Sequence, residues 1–312
     1  MSPPLPSAPL TLAVVVPTRG DHQRLRVTLA SLAGQTDAPA HEVIVVDDSA
    51  PGGGPALAEV LAEARDRLPL RVVPGPRQGR AAVRNAGAGA AATAWVLFLD
   101  ADVVVGPRFL RAYADAARPG FFLHGLTREL PAAARLLATL EGASWPELQR
   151  TAAELTGAAT DVRVRDPLRR TMANALERAI EAMDAGTLPD VAAWLGFVGA
   201  NSAVEKEAWR SAGGFDEEFG RDWGCEDIEL GVRLHGAGLR RALVPEAYGI
   251  HLSHARPGRW QQHGRNMERF AMLHPLPAVR ALTALLGPDG TPERYVAAVR
   301  AEAARPRLTG SR

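Results

Sequence analysis

Three apolar segments that end abruptly in polar residues constrain the fold of this chain more than any other feature. Residues 12–18 end in Pro-Thr before an arginine, residues 43–48 end in two aspartates, and residues 95–102 read Trp-Val-Leu-Phe-Leu-Asp-Ala-Asp. An apolar run without alternation predicts a strand that is buried on both faces. Helical periodicity lies between the runs, at residues 23–32 and 56–68. This order of strands and helices predicts an α/β fold with right-handed crossovers and a mostly parallel sheet.

The polar ends of these strands predict a ligand site. The carboxyl ends of parallel strands meet at one edge of a sheet, where open α/β folds bind their ligands. Asp100 and Asp102 emerge together at that edge. One or two carboxylates, with substrate phosphates completing the shell, commonly hold Mg²⁺ or Mn²⁺. A strand followed by a polar turn is the alternative interpretation of the tripeptide alone, because aspartate is common in turns.

The amino-acid composition restricts the binding partners and the cellular compartment that we expect for this protein. The 312 residues are 46% hydrophobic, with 36 basic and 35 acidic side chains, which predicts a sizeable core and no general attraction to nucleic acid. The single cysteine, Cys225, cannot form an intrachain disulfide, which suits a cytoplasmic protein. Residues 1–10 contain four prolines and no basic residue, so a disordered lead-in is expected rather than a signal peptide. No apolar run is long enough to predict an integral membrane segment.

Two classes of nucleotide-binding protein are excluded, because the sequence lacks their defining motifs in the required form. The glycines at residues 87–89 superficially match a dinucleotide fingerprint, but they end a helical stretch and precede a strand, which reverses the required order. A phosphate-binding loop needs Gly-Lys-Ser or Gly-Lys-Thr, and neither tripeptide is present.

Five short segments follow one another along the chain. They are Val14-Val-Val-Pro-Thr-Arg19, Val45-Val-Asp-Asp-Ser49, residues 79–87 (Gly-Arg-Ala-Ala-Val-Arg-Asn-Ala-Gly), Asp100-Ala-Asp102 and Trp223-Gly-Cys-Glu-Asp227. In this order they make the chain similar to the family 2 glycosyltransferases of the GT-A fold, over residues 12–255. That resemblance implies a Rossmann-like, mostly parallel central sheet flanked by helices. It also implies metal-dependent, inverting transfer of a hexose from a nucleotide-diphosphate sugar, with a UDP-sugar as the expected donor, to an acceptor hydroxyl.

The last segment resembles the Trp-Gly-Gly-Glu-Asp motif of inverting galactosyltransferases and bacterial chondroitin-type polymerases. The resemblance implies that Asp227 is the catalytic base, that Glu226 orients the acceptor sugar, and that Trp223 stacks on it. Cys225 stands where the motif has glycine. The alternative is that both acids only stabilise the start of a helix.

The resemblance also assigns the donor side. Asp48 is expected to hydrogen-bond uracil, whereas its neighbour Asp47 is expected to be structural. Each of the two arginines in the third segment contacts the diphosphate or base, or instead pairs with Asp47 or Asp100. The expected donor-side residues are Pro17, Thr18 and Arg19 around the base and ribose, Asp48, Arg80, Arg84, Asp100 at the ribose, and Asp102 on the Mn²⁺ or Mg²⁺ ion.

A histidine is expected to complete the metal site. His251 and His254 lie about 25 residues beyond Glu226, where related enzymes supply a metal ligand. In an extended segment, residues three apart point to opposite faces, so only one histidine is expected to reach the metal, and His251 is preferred. The basic segment with Arg256, Arg259 and Arg265 either folds over the diphosphate or forms a solvated loop.

These interpretations divide the chain into five regions. After the lead-in 1–10 we expect a nucleotide-sugar half (11–125), a helical insertion (126–190), an acceptor half that begins with strand character at 194–204 (191–275), and a helical tail (276–312). The insertion serves as an acceptor wall or lid, as a dimer contact, or simply as packing helices. The expected acceptor is a small natural product or a glycan. A non-catalytic sugar-nucleotide or glycan binder and a sugar nucleotidyltransferase are the alternative functions.

Overall fold

An eight-stranded sheet forms the centre of the protein in the computed structural model, which describes residues 12–49, 54–159, 166–255 and 257–305. The strand order is β3-β2-β1-β4-β7-β6-β8-β5. Four of the neighbouring pairs are parallel and three are antiparallel, which confirms the expected mostly parallel α/β sheet. The strands are β1 Leu12–Thr18, β2 His41–Asp47, β3 Leu70–Pro74, β4 Trp95–Leu99, β5 Val103–Val105, β6 Phe121–Glu129, β7 Asn201–Glu205 and β8 Arg240–His251.

Helices cover both faces of this sheet. The apolar side chains of β1 alternate between two buried clusters, since Leu12 and Val14 join one and Ala13 and Val15 the other. The continuous apolar runs are therefore buried on both sides, as expected. The helices are α1 His22–Ala33, α2 Pro55–Arg65, α3 Arg80–Ala90, α4 Phe109–Ala116, α5 Ala133–Thr139, α6 Trp145–Ala159, α7 Ala175–Asp184, α8 Lys206–Ser211, α9 Glu226–Gly236, α10 Arg259–Leu273, α11 Pro277–Arg280, α12 Thr283–Leu286 and α13 Pro292–Ala304.

The sheet curls because of the short link between β4 and β5. Only residues 100–102 separate these two strands, yet four strand spacings lie between them in the sheet order. In a flat sheet those spacings would amount to about 19 Å. The four Cα steps from Leu99 to Val103 reach at most about 15 Å. The part of the sheet from β4 to β5 must therefore curve back on itself, and residues 100–102 lie where its two ends meet.

Two expected boundaries differ from the structure. The strand predicted at 194–204 is confined to β7, because Ala193–Gly196 forms a 3₁₀ turn whose Trp194 and Leu195 are buried against helices. The expected border between residues 125 and 126 falls inside β6, which is one continuous strand. Residues 1–10, expected to be a disordered lead-in, lie outside the described part of the chain.

The expected insertion is helical and packs into the main body. Helices α5 and α6 contribute buried residues such as Leu136 and Leu155 to the cluster that also contains α1 and the sheet. Helix α7 joins a second cluster with α9, α10 and the C-terminal helices through Ile180. Among the described residues, no helix is both long and apolar enough to cross a bilayer.

Candidate active site

Three neighbouring strands bring a possible set of metal ligands together. Val103 of β5 pairs with His251 of β8, and Glu129 of β6 pairs with the same histidine from the other side. Asp102, one residue before β5, therefore lies next to the end of β8, where its carbonyl oxygen accepts a hydrogen bond from Leu252 N–H at 2.8 Å. The sheet register alone places these side chains at one point.

Asp102 and two histidines form a compact cluster. Asp102 Oδ2 lies 3.2 Å from His251 Nε2 and 3.3 Å from His254 Nδ1. One ligand atom from each of the three residues lies within 4.8 Å of the other two. The expectation that only one histidine reaches this point is wrong for this structure. Strand alternation ends with β8 at His251, so the following residues turn both rings towards Asp102. A carboxylate oxygen and two imidazole nitrogens fit Mn²⁺.

Glu129 holds His251 in place. Its Oε2 lies 2.7 Å from His251 Nδ1 and accepts a hydrogen bond from Ser253 Oγ at 2.6 Å. Burial alone would raise the pKa of Glu129, but its hydrogen bonds from His251, Ser253 and Asn174 lower it to about 2. An ionised carboxylate behind a metal-binding imidazole fixes the orientation of the ring and leaves the other nitrogen for the metal.

A second cluster surrounds Arg84. This arginine is buried, and its guanidinium donates hydrogen bonds of 2.8 Å to Asp100 Oδ1 and of 2.8 Å to Glu226 Oε1. The interpretation that Arg84 contacts the donor diphosphate is therefore not supported by its position, and the alternative pairing with Asp100 is the one observed. The ion pair uses Glu226 Oε1, whereas the buried Glu226 Oε2 has no hydrogen-bond partner among the described residues.

Asp227 lies beside this ion pair in a half-buried position. Its Oδ2 accepts the N–H of Gly199 at 2.9 Å, and its Oδ1 accepts its neighbour Ile228 N–H at 2.8 Å. Burial and the adjacent charge of Glu226 raise the pKa of Asp227 to about 6, even though Arg84 acts in the opposite direction. A carboxylate with a pKa near neutrality is suited to general base catalysis.

Helix α9 begins with an unusual backbone at Cys225. This residue has a φ of +75°, in the left-handed region that favours glycine, which explains why the related motif has glycine there. The Cys225 thiol is buried, and its Sγ lies 3.7 Å from His263 Nδ1. A Cβ on Gly224 would lie 2.5 Å from the same ring nitrogen. His263 of α10 therefore closes over the start of α9.

The donor-side residues at the ends of β1 and β2 lie together. Thr18 pairs with Asp47, and Asp48 N–H donates to Thr18 O at 2.8 Å. Asp48 Oδ1 accepts the backbone N–H of Arg77 at 2.6 Å. Pro17 is half-buried and Arg19 is exposed, while the buried Thr18 hydroxyl has no hydrogen-bond partner among the described residues. Asp47 caps its own turn by accepting the Ser49 N–H at 2.9 Å, which matches its expected structural role.

Arg80, the other arginine of the third segment, lies half-buried at the start of α3. Its charge, together with that of Arg84, lowers the pKa of Glu226 against the effect of burial. Arg80 therefore lies near Glu226, and it directly follows Gly79, the residue before α3.

The basic segment with Arg256, Arg259 and Arg265, expected either to fold over the diphosphate or to form a solvated loop, enters helix α10 at Arg259. Arg259 opens α10 and stacks on Trp260 at 4.5 Å and on Trp223 at 5.8 Å. Trp223 also lies against His263, with 5.1 Å between the ring centroids. Arg265 pairs with Asp222 through bonds of 2.7 and 2.9 Å, and Arg256 lies outside the described residues. The aromatic and guanidinium faces form a wall next to the start of α9.

Sequence reasoning missed four residues that support the site: Glu129, Ser253, Gly199 and His263. Glu129 had only a weak signal, because residues 121–123 are apolar but His124, Thr127 and Arg128 interrupt the run before the acid. The backbone N–H of Gly199 and the ring of His263 had none, since their roles depend on contacts with Asp227 and Cys225 from distant parts of the chain.

Comparison with known families matches two parts of the chain. Residues 13–121 match the model of glycosyl transferase family 2. Residues 192–255 match the model described as the N-terminal domain of galactosyltransferase. Together the two matches contain Asp48, Asp102, Asp227 and both histidines of the cluster, whereas Glu129, Arg259, Trp260 and His263 lie outside them.

Individual proteins show the same likeness. A validoxylamine A glucosyltransferase of Streptomyces hygroscopicus subsp. limoneus is 32% identical over 291 residues, which cover 87% of this chain and 59% of that protein. The chain thus spans little more than half the length of this relative. The solved mannosyltransferase PcManGT from Pyrobaculum calidifontis, in complex with GDP-Man and Mn²⁺, has a TM-score of 0.53 at 21% identity, covering 96% of this chain and 72% of that one. S. aureus TarS 1-349 with UDP-GlcNAc has a TM-score of 0.52 at 17% identity, covering 94% and 72%.

Proposed function

Because the chain belongs to glycosyltransferase family 2 and carries a galactosyltransferase-type segment at residues 192–255, we propose that it is a metal-dependent, inverting hexosyltransferase. The donor is a nucleotide-diphosphate sugar, with UDP as its nucleotide, and the acceptor is a hydroxyl group. One observation carries this proposal. The three residues 100–102 connect a cluster of metal-type ligands at Asp102 to the ion pair beside Asp227.

Asp102, His251 and His254 are the residues that would hold Mn²⁺ or Mg²⁺. A bound divalent ion supplies positive charge that stabilises the departing nucleoside diphosphate. The protein's own contribution is orientation, because Glu129 fixes the His251 ring and the main chain of β5 and β8 fixes Asp102. The solved mannosyltransferase with the same fold is a complex with Mn²⁺.

Asp227 is the proposed base. In a single displacement, the acceptor oxygen forms a bond to the anomeric carbon while the bond from that carbon to the phosphate oxygen breaks. The proton of the acceptor hydroxyl passes to Asp227. Two backbone N–H groups hold the carboxylate at the start of α9, so its position does not depend on a flexible partner. Inversion follows from attack on the face opposite the leaving group.

The acceptor is proposed to be a small hydroxylated molecule. The relative that aligns with 87% of this chain is named as a glucosyltransferase of validoxylamine A, and the wall of Trp223, Trp260 and Arg259 offers flat faces for a ring. Glu226 Oε2, which is buried and has no hydrogen-bond partner among the described residues, is the oxygen that we propose orients an acceptor hydroxyl. A cytoplasmic location is proposed on the basis of the single cysteine, Cys225.

Calorimetric titration with UDP-, GDP- and dTDP-linked sugars, each with Mn²⁺ and with a chelator, tests the donor proposal. We expect binding of a UDP-sugar that is lost with the chelator. Stronger binding of a GDP- or dTDP-sugar would overturn the choice of nucleotide. An acceptor screen by mass spectrometry, followed by NMR of the product's anomeric configuration, then tests transfer. Tight binding without transfer to any acceptor would favour a non-catalytic sugar-nucleotide binder, and a retained configuration would overturn the inverting mechanism.

A further inference from the structure

Arg84 is a buried cation that contacts both halves of the site. It lies one turn into α3, only 2% exposed, and α3 packs on β1 and β2 of the donor half. From there its two terminal nitrogens reach Asp100, at the end of β4, and Glu226, at the start of α9, both at 2.8 Å. Each nitrogen thus donates a hydrogen bond to a carboxylate from a different element.

The surroundings of Arg84 are shaped to hold it there. A Cβ on Gly199 would lie 2.6 Å from the Arg84 Cζ atom, so only glycine allows this close approach. The ring of Phe215 lies 5.6 Å from Cζ on another side. The same Gly199 donates its N–H to Asp227. One residue therefore both accommodates the guanidinium and holds the carboxylate of the proposed base.

We propose that Arg84 is a positioning residue for the transfer reaction, whose guanidinium joins the donor-side carboxylate Asp100 to the acceptor-side helix start at Glu226 and Asp227. This inference rests on the proposed function. Asp100 is separated from the metal-type ligand Asp102 by a single residue, so the bridge fixes the distance between the donor end and the base. Lysine cannot reproduce this bridge, because the two carboxylates are bound by two separate nitrogens of a planar guanidinium, whereas an ammonium carries all its donors on one nitrogen.

The bridge also sets the electrostatic environment of Asp227. The groups that act on this carboxylate are Arg84 from α3, Glu226 and the Ile228 N–H from α9, and the Gly199 N–H from the preceding loop. His263 of α10 interacts with Glu226, and the Cys225 thiol stays protonated because burial raises its pKa. Arg84 and Glu226 are thus the two full charges with opposite effects on Asp227.

Because Arg84 and Glu226 have opposite effects on the pKa of Asp227, removing one or the other should shift that pKa in opposite directions. Arg84→Met removes the cation and is expected to raise the pKa of Asp227 by about one unit or more, whereas Glu226→Gln removes the anion and should lower it by a similar amount. In Arg84→Lys the pKa of Asp227 should lie close to its value in the unmodified protein, because the positive charge is kept. The transfer rate should remain low, because the bridge between the two carboxylates is lost. Arg26→Met, which breaks the remote pair with Glu63, is the matched control and should leave the pKa of Asp227 unchanged.

The pKa is read directly by ¹³C NMR titration of the aspartate carboxyl carbons in the full chain, with Asp227→Asn identifying the resonance. Shifts of opposite sign in the two variants, matched by the acid limb of kcat/KM, would support the proposal. An Asp227 pKa that does not rise in a folded Arg84→Met protein would overturn it. If Arg84→Met does not fold, Arg84→Lys decides, because a transfer rate equal to that of the unmodified protein would show that the bridge is not needed. Absence of transfer by the unmodified protein would overturn the proposed function, while the titration would still decide whether Arg84 acts on Asp227.

Discussion

Asp227 differs from Asp100 and Glu226, which accept hydrogen bonds from the Arg84 side chain, because its own hydrogen bonds come from the backbone. Two N–H groups, those of Gly199 and Ile228, hold its two oxygens, while the carboxylate of Glu226 lies next to it in the chain. The orientation of the proposed base is therefore set locally by the backbone, whereas its pKa is sensitive to the charges of Glu226 and Arg84. This separation allows a substitution to change proton transfer without displacing the donor.

Asp227→Asn is expected to remove transfer and to leave donor binding intact. Loss of a general base typically lowers the rate by about 10²- to 10⁴-fold, and the change lies on the acceptor side of the ion pair. Steady-state kinetics and calorimetric binding of the donor measure the two effects separately. Asp115→Asn, on the exposed face of α4, should change neither, and normal transfer by Asp227→Asn would show that another group is the base.

The pH profile should report the same carboxylate. With its pKa raised to about 6, Asp227 is protonated below that pH and cannot accept the acceptor's proton. The value of kcat/KM is therefore expected to fall as the pH drops through about 6, and to be constant from there to mildly alkaline pH as far as this group is concerned. A profile that stays flat down to pH 4.5 would contradict the assignment.

Asp102→Ala is expected to abolish the metal dependence of donor binding. Asp102 contributes the only carboxylate to the cluster with His251 and His254 among the described residues, and two imidazoles alone make a weak site for a hard cation. Calorimetry with a nucleotide sugar, in Mn²⁺ and in chelator, measures the effect. Metal-dependent binding that survives in Asp102→Ala would place the metal elsewhere.

At the scale of elements, α3 positions Arg84 through its close packing on the sheet. Gly87 faces the sheet, and a Cβ there would lie 2.3 Å from Val15 Cγ1 and 2.9 Å from Val46 Cγ2. Gly89, two residues later in the same helix, has no atom within 4 Å of the corresponding position. The first glycine allows the helix to approach the strands, and the second has no such role.

Substitution of these two glycines should therefore have opposite effects. Gly87→Ala is expected to lower the free energy of unfolding by about 1–3 kcal/mol, because the added methyl group overpacks the interface. Gly89→Ala should raise it by roughly 0.5–1 kcal/mol, because alanine loses less backbone entropy in a helix. Denaturant unfolding at constant m-value measures both, and equal effects would mean that α3 does not approach β1 as closely as described.

The elements show why the sequence predicts some of the fold and not the rest. Strands β1, β2 and β4 lie inside the sheet and carry apolar runs, so they were predictable. Strand β3 is a five-residue edge strand whose side chains are only half-buried or exposed, and its sequence has no such run. The stretch 194–200 is apolar because it packs against α9 and not because it is a strand. Buried loops and buried strands share one composition, and only tertiary contacts distinguish them.

The candidate site, too, could be predicted from the sequence only in part. Asp102 was predictable because it follows an apolar strand and a sheet brings its strand ends together, whereas His251 was predicted only through the family resemblance. The partners of Arg84 were not decided by the sequence, since Asp100 and a phosphate are equally good partners for a guanidinium. The contact of both histidines with Asp102 also escaped prediction, because it depends on where β8 ends.

At the scale of the whole molecule, metal binding should increase the thermal stability of the folded protein. A ligand that binds only the folded protein adds about 2.7 kcal/mol when its concentration is 100 times its Kd, which corresponds to several degrees in Tm for a chain of this size. We therefore expect Mn²⁺ to raise Tm, and both His251→Ala and His254→Ala to reduce that increase. His22→Ala, at an exposed position, is the control. An unchanged increase in both site variants would contradict the metal site.

The curl of the sheet limits how this protein can be recombined with its relatives. Strand β5 comes from the N-terminal half, yet it pairs with β8, and β6 of the same half lies on the other side of β8. A chimera that takes its C-terminal half from another parent would place a foreign strand between two native ones. The hydrogen-bond register of that foreign strand would then decide whether one of its histidines lies next to Asp102. Donor and acceptor specificities are thus not exchangeable modules, and a productive crossover must transfer β5, β6 and β8 as one unit.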